Sequence, residues 1–186
     1  YTTKGTVQRA YGEVGLPGGD LKFYKLNYQH QKFFPLTKDI TLMLNGEYGF
    51  GDGYGGEPLP FFRHFYAGGI GSVRGFKSGS LGPHDDPPNH KDALGGNKRL
   101  VANAEFLMPI PGIGLDKSFR FGGFADAGYV WATSQKMRLS DLRYSIGISV
   151  AWSSPFGPLK FSIAQPLNKK SGDQVERFQF QMGTSF

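Results

Sequence analysis

Read two residues at a time, the chain separates into segments in which apolar and polar side chains alternate, the period of a strand with two unlike faces. The alternation is weak over residues 5–16, where Arg9 and Glu13 share one face and Ala10, Gly12, Val14 and Leu16 the other. Pro17-Gly18-Gly19-Asp20 then reads as a turn. Over 21–34, Tyr24, Leu26 and Tyr28 face away from Lys25, Asn27, Gln29 and Gln31. Residues 40–50 set Ile40, Leu42, Leu44, Tyr48 and Phe50 against Thr41, Asn45 and Glu47. Residues 99–108 place Ala102, Ala104, Phe106 and Met108 opposite Asn103 and Glu105. Pro109-Ile110-Pro111-Gly112 ends that run, because proline cannot donate to a ladder. Residues 118–131 set Phe119, Phe121, Ala125, Ala127, Tyr129 and Trp131 opposite Arg120, Gly122 and Asp126. The clearest alternation is 142–152, with Leu142, Tyr144, Ile146, Ile148, Val150 and Trp152 against Arg143, Ser145, Gly147, Ser149 and Ala151. Residues 159–164 continue with Leu159, Phe161 and Ile163 opposite Lys160, Ser162 and Ala164. Residues 177–186 end with Phe178, Phe180, Met182 and Phe186 opposite Gln179, Gln181, Gly183 and Ser185. The pattern predicts an all-β chain of about eight antiparallel strands, each of barrel-spanning length.

The two faces decide between a soluble and a membrane architecture. In a soluble sandwich the apolar faces meet inside and the outer faces carry many charges. Here the polar faces are rich in Ser, Gln, Asn, Gly and Ala, and the apolar faces carry large aromatics near strand ends, such as Trp131, Trp152 and Phe186. That describes a transmembrane β-barrel, with lipid outside, a polar lumen and aromatic girdles at both interfaces. A soluble sandwich or lipocalin-like barrel fits less well. Residues 35–39, 109–117 and 153–158 make short connections, whereas 134–140, 168–175 and the long segment 54–97 fall in the other set. Short turns are periplasmic and longer loops external in outer-membrane barrels. Both termini are therefore expected on the periplasmic side, with the long segment starting outside. A closed eight-stranded barrel fills its interior with side chains. The inward residues here are often too small for that, so the strands are expected to belong to a larger barrel. The start at Tyr1, without Met or leader, reads as a processed protein or a fragment.

Composition agrees and removes several chemistries. Aromatic residues make up 15%, with Gly 28 and Pro 12, which suits short strands and turns and not disorder. No 18-residue apolar run exists, so no transmembrane helix is expected, but barrel strands need only about 9–11 residues. The net charge of +6 comes without a basic run or basic helix, and Lys169-Lys170 lies in a turn, so it reads as surface polarity and no nucleic acid is expected as partner. Cysteine is absent, which removes disulfides and thiolate-bound zinc. His30, His64, His84 and His90 show no metal spacing, and His84-Asp85-Asp86 with His90 reads as solvated external loop. Neither metal nor cofactor is expected. A Ser–His hydrolase built into the wall needs a His and a Ser on one outward face, whereas His30 sits among Tyr28, Lys32 and Phe34. No catalytic residue is expected. A simple porin is a further alternative and requires an open pore.

One stretch of the long segment stands apart: Gly68-Gly69-Ile70-Gly71-Ser72-Val73-Arg74-Gly75-Phe76. Loops of this length are functional or disordered, and glycines let the backbone turn and approach other backbone closely. Its arginine, in a glycine and apolar frame, is either a solvated loop charge or a clamp on distant carboxylates. Phe65-Tyr66-Ala67-Gly68-Gly69 leading to Val73-Arg74-Gly75-Phe76, then Leu81-Gly82-Pro83 and Gly95-Gly96-Asn97, resembles the sixth external loop of the BamA family. That family, within the surface antigen D15-like superfamily, folds proteins into the Gram-negative outer membrane. Asn103-Ala104-Glu105-Phe106 is similar to its twelfth strand and Phe124-Ala125-Asp126-Ala127-Gly128-Tyr129-Val130-Trp131 to its thirteenth. Ser154-Pro155-Phe156-Gly157-Pro158-Leu159 and Arg177-Phe178-Gln179-Phe180 through Phe186 also fit, so the resemblance covers nearly the whole chain.

The resemblance implies that residues 1–186 are the last eight strands of a sixteen-stranded barrel domain, without its POTRA domains and first strands. It implies a non-enzymatic assembly role, with outer-membrane lipid, unfolded outer-membrane protein clients and assembly-complex lipoproteins as partners. It also implies that the loop folds into the lumen, where Arg74 meets Glu105 and Asp126. The alternation independently puts both carboxylates on polar faces of adjacent strands, where a guanidinium fork can engage two of them. Val73 and Phe76 are then expected to shield the cluster from water. The family's first and last strands meet in a weak seam, which puts Phe178, Phe180, Met182, Gly183 and Phe186 on the seam strand. Gly183 is expected to weaken its last pairs, and Phe186 reads both as a girdle aromatic and as resembling the C-terminal recognition signal of outer-membrane barrels. Two-partner secretion pores and the Tam assembly factor share the arginine loop and are the nearest alternatives.

Overall fold

The computed structural model describes residues 2–16, 18–19, 21–85, 92–110, 118–155 and 157–183. Among these, the strands are β1 (Gly5–Val14), β2 (Phe23–Pro35), β3 (Thr41–Gly53), β4 (Gly75–Phe76), β5 (Lys98–Met108), β6 (Phe119–Trp131), β7 (Arg143–Ser154), β8 (Gly157–Pro166), β9 (Val175–Glu176) and β10 (Phe178–Met182). Eight of them make one antiparallel sheet in the order β1-β2-β3-β5-β6-β7-β8-β10, and β4 pairs with β9 apart from it. The chain meanders, each long strand lying beside the next. Strands of 10 to 13 residues are long enough to cross a bilayer at barrel tilt. β1 and β10 form the two edges of the sheet and do not pair with each other.

The sheet is inside out relative to a soluble protein. Tyr144, Ile146 and Ile148 of β7 are exposed on one face, Ile148 by 48%, while Ser145 and Ser149 on the other are buried. The same holds across the sheet: Tyr28, Leu44, Phe106 and Ile163 are exposed, and Glu105, Asp126 and Ser162 are buried. This is part of a transmembrane β-barrel, the class the alternation predicts. Register sets the outer aromatic pairs. Phe119 lies opposite Trp152 and stacks on it at 5.2 Å, and Phe161 lies opposite Phe180 at 4.9 Å.

The structure corrects two details of the pattern. Trp131 is not a girdle residue, for only 1% of it is exposed. It sits at the outer end of β6, where the β6–β7 connection wraps over it and Asp141 Oδ2 accepts its indole N–H at 3.0 Å. Among the described residues the terminal run pairs with β8 only over 178–182, within the 177–186 read from the alternation. β10 covers five residues, Val175–Glu176 pairs elsewhere, and Gly183 turns away at φ +87° while its N–H still donates to the Pro158 carbonyl at 3.0 Å. Phe186 lies outside the described residues.

The segment between β3 and β5 is not structureless. A three-ten turn at Phe61–Arg63 opens it, and isolated bridges pair Phe65 with Gly96, Ala67 with Leu81 and His84 with Ala93. Its apolar residues Phe65, Ala67, Val73, Phe76 and Leu81 pack with Val101 of β5 and Val130 of β6 into the buried core. The core is therefore not between two sheets. It lies between the inner face of the wall and a loop folded down upon it.

Candidate functional site

Local backbone chemistry aims the loop's arginine. The Gly69 N–H donates to the carbonyls of Val73 at 3.1 Å and Phe76 at 3.0 Å, closing the motif on itself. Ser72 N–H donates back to the Gly69 carbonyl at 3.0 Å. Gly75 has φ +89°, a conformation side chains resist, and a Cβ there would stand 3.0 Å from the Ala164 Cβ. Glycine therefore lets the motif lie flat against β8 while Arg74, next to it, points at β6.

Arg74 is 2% exposed, Glu105 1% and Asp126 3%. Arg74 Nε donates to Asp126 Oδ2 at 2.7 Å and Nη2 to Oδ1 at 2.8 Å, the two-pronged fork that guanidinium and carboxylate favour. The Arg74 backbone N–H adds a third bond to Oδ2 at 3.0 Å, and Asn103 Nδ2 a fourth to Oδ1 at 2.9 Å. A carboxylate has about four lone-pair sites, so Asp126 is saturated. Arg74 Nη1 stands 3.1 Å from Glu105 Oε1, close enough for an ion pair but without hydrogen-bond alignment. Glu105 takes its hydrogen bonds elsewhere, from the Ser149 hydroxyl and from Lys160 Nζ at 3.3 Å. The Phe124 ring caps the guanidinium, its centre 3.4 Å from Arg74 Cζ.

Two cations thus face two carboxylates, and the group is neutral as a whole. Burial opposes the charge on Arg74, but the hydrogen bonds and charge of Asp126, and then the charge of Glu105, outweigh it and hold the guanidinium above its ordinary pKa. Val73 and Phe76, both fully buried, keep water from the cluster. Each charged group of the cluster is engaged by an opposite charge. The site is built to hold two elements together.

An amide chain extends the cluster along the wall. Gln29 Nε2 donates to Asn45 Oδ1 at 2.9 Å, Asn45 Nδ2 to Asn103 Oδ1 at 2.9 Å, and Asn103 Nδ2 on to Asp126. Asn103 Nδ2 also donates to the Ser72 carbonyl at 2.7 Å. From Gln29 through Asn45 to Asn103 the chain of donors runs toward Asp126.

The structure brings together Val73, Arg74, Gly75, Phe76, Glu105 and Asp126, while Phe178, Phe180 and Met182 stand exposed on the outer face of β10. The sequence reading did not single out Phe124, Ser149, Lys160 or the role of Asn103. Phe124 carried a signal, being an aromatic on an otherwise polar face. Another tie was also missed. Arg143 Nε and Nη2 donate to Asp173 at 2.6 and 3.1 Å, and Nη1 to the Asp141 carbonyl at 2.6 Å, joining two outer connections. Of the histidines, His30 Nδ1 lies 3.0 Å from Gln8 Nε2 and 3.5 Å from the Tyr28 hydroxyl. Asp86 and His90 lie outside the described residues.

The chain matches the Omp85 superfamily domain over residues 1–186. It is 42% identical to the outer membrane protein assembly factor BamA of Neisseria meningitidis serogroup B, across 100% of this chain and 27% of that protein. It is 33% identical to the protein of the same name from Nitratidesulfovibrio vulgaris, across 99% of this chain and 23% of that one. The chain thus spans about a quarter of the length of these relatives. The crystal structure of BamA from Haemophilus ducreyi lacking POTRA domains 1-3 superposes with a TM-score of 0.88 at 32% identity, covering 97% of this chain and 38% of that one. Since the match to the family runs the full length of the wall and of the loop seated on it, the chain belongs to the Omp85 superfamily.

Proposed function

We propose that this chain is the C-terminal part of the barrel of an assembly factor that folds and inserts β-barrel proteins into the outer membrane. It sits in the bacterial outer membrane with lipid against the face bearing Tyr144, Ile146 and Ile148. POTRA domains and the first barrel strands belong to other parts of the same protein, and assembly-complex lipoproteins bind mainly there. The role is not enzymatic. The observation that carries the reading is the seated loop: a plugged wall does not suit a porin, whereas relatives matched over the whole chain are assembly factors.

The work is done by the edge. β10 is short and ends one side of the sheet. A client strand arriving in lipid must satisfy its backbone groups, and an open sheet edge offers matching donors and acceptors. In the full barrel β10 faces the first strand in a weak seam that opens to clients, and Arg74, held by Glu105 and Asp126, keeps the wall behind it rigid. A disulfide locking β10 to the first strand of the full-length protein tests this. The lock is expected to stop client insertion and reduction to restore it; insertion at the normal rate through a locked seam contradicts the mechanism.

A further inference from the structure

Clamp residues do not by themselves reach the terminal strand, but another side chain does. Gln179 is the second residue of β10, faces inward and is buried. Its Nε2 donates to the Phe76 carbonyl at 2.7 Å, and its Oε1 accepts from the Gly75 N–H at 3.4 Å. Nε2 also reaches Glu176 Oε2 at 3.4 Å. A primary amide carries donor and acceptor in one plane, so it can read the motif's backbone as a neighbouring strand would.

A second tie runs beside it. Gly75 pairs with Glu176 and Phe76 with Val175, and the Lys77 N–H donates to the Gln174 carbonyl at 2.9 Å. Only Arg177 separates this short pair from β10. The strand itself has a weak hold on the sheet, for it is five residues long while its partner β8 has ten. Arg74 and Gly75 are consecutive, and the Arg74 backbone N–H itself bonds Asp126, so lifting that backbone from Asp126 pulls Gly75 from Gln179.

We infer that Gln179 is a positioning residue that couples the seat of the Arg74 loop to the place of the terminal strand. While the loop is seated, β10 is held from inside; when the loop lifts, β10 loses that hold. The coupling is reciprocal, as any linkage between two equilibria must be. The inference rests on the reading of β10 as the seam strand. Its readout is strand protection and not client insertion, so the two can fail separately.

The test is amide hydrogen exchange over residues 178–182 of the full-length protein in lipid nanodiscs. Gln179→Met keeps the length and loses all three hydrogen bonds, and is expected to speed exchange there by about tenfold. Arg74→Lys loses the fork and is expected to speed exchange over 178–182 on the native background, yet to add little on the Gln179→Met background. Asn27→Ala, on the inner face of β2, is expected to leave β10 unchanged. Equal effects of Arg74→Lys with and without Gln179 would overturn the coupling, since a mere brace adds independently. Unchanged exchange in Gln179→Met would overturn it as well. If that variant does not assemble, Gln179→Glu keeps the acceptor for Gly75 and loses the donor to Phe76. Its charge also meets that of Glu176, so a rise at least as large is then expected, and native protection overturns the inference.

Discussion

Arg74 is one cation with two anions to satisfy, and it does so at a place without water. Removing it strands a negative charge beneath Val73 and Phe76. Arg74→Ala is therefore expected to cost about 3–5 kcal/mol, seen as a lower temperature for loss of the folded band in heat-modifiability gels. An unchanged temperature would mean the cluster does not brace the wall. Lys160→Met tests the second cation. Glu105 keeps Ser149 and Arg74 nearby, so the loss is expected to be smaller, roughly 1.5–3 kcal/mol for a bond to a charged group. A loss as large as that of Arg74→Ala would show that Lys160, not Arg74, is the main counter-charge of Glu105. Arg74, Glu105 and Asp126 were legible because a two-residue period assigns each carboxylate a face, and because the motif resembles a known one. Ser149 and Lys160 were not, although both fall on inward faces. Their approach to Glu105 depends on the stagger between β5, β6, β7 and β8, which alternation within one strand does not encode.

At the scale of the element, the strands followed from the sequence more readily than their ends. Alternation over 142–152 is regular because β7 separates lipid from lumen along its length. In the last strand the alternation runs on through Arg177 and Gly183, whereas the ladder among the described residues spans Phe178–Met182 and Gly183 takes a positive φ. Trp131 was misplaced for a related reason: parity gives the outer face, but only the fold of the next connection shows that Asp141 covers it. Gly147 makes a further element-level test. A Cβ there would lie 2.1 Å from the Ile163 carbonyl oxygen and 2.6 Å from Phe124 Cζ. Gly147→Ala is expected to shift β7 against β8 and push Phe124 off the guanidinium, at about 1–3 kcal/mol. Loss of thermal stability with displaced Phe124 packing, read by ring NMR shifts, would bear this out; native stability would show that the wall yields freely at this point.

On the scale of the whole molecule, the wall, the seated loop and the terminal edge form a graded structure. The centre, from β3 to β8, pairs through long strands over a buried ionic cluster, and the edge at β10 is short. Stability falls where the proposed work is done, as local opening requires. The barrel class was legible from the faces, and the inadequacy of small lumen residues pointed to a larger barrel. How the loop lies followed only from the resemblance, since no periodicity describes irregular backbone. The most direct measurement is a map of photo-crosslinks to an arriving client, made with a photoreactive residue placed singly at each position from 178 to 182 of β10 and at Gln29, Asn45 and Asn103 on the inner wall. Capture of a client strand from β10, with the inner-wall positions silent, is the result expected. Capture from the inner wall with β10 silent would place the client's path through the lumen and contradict the account.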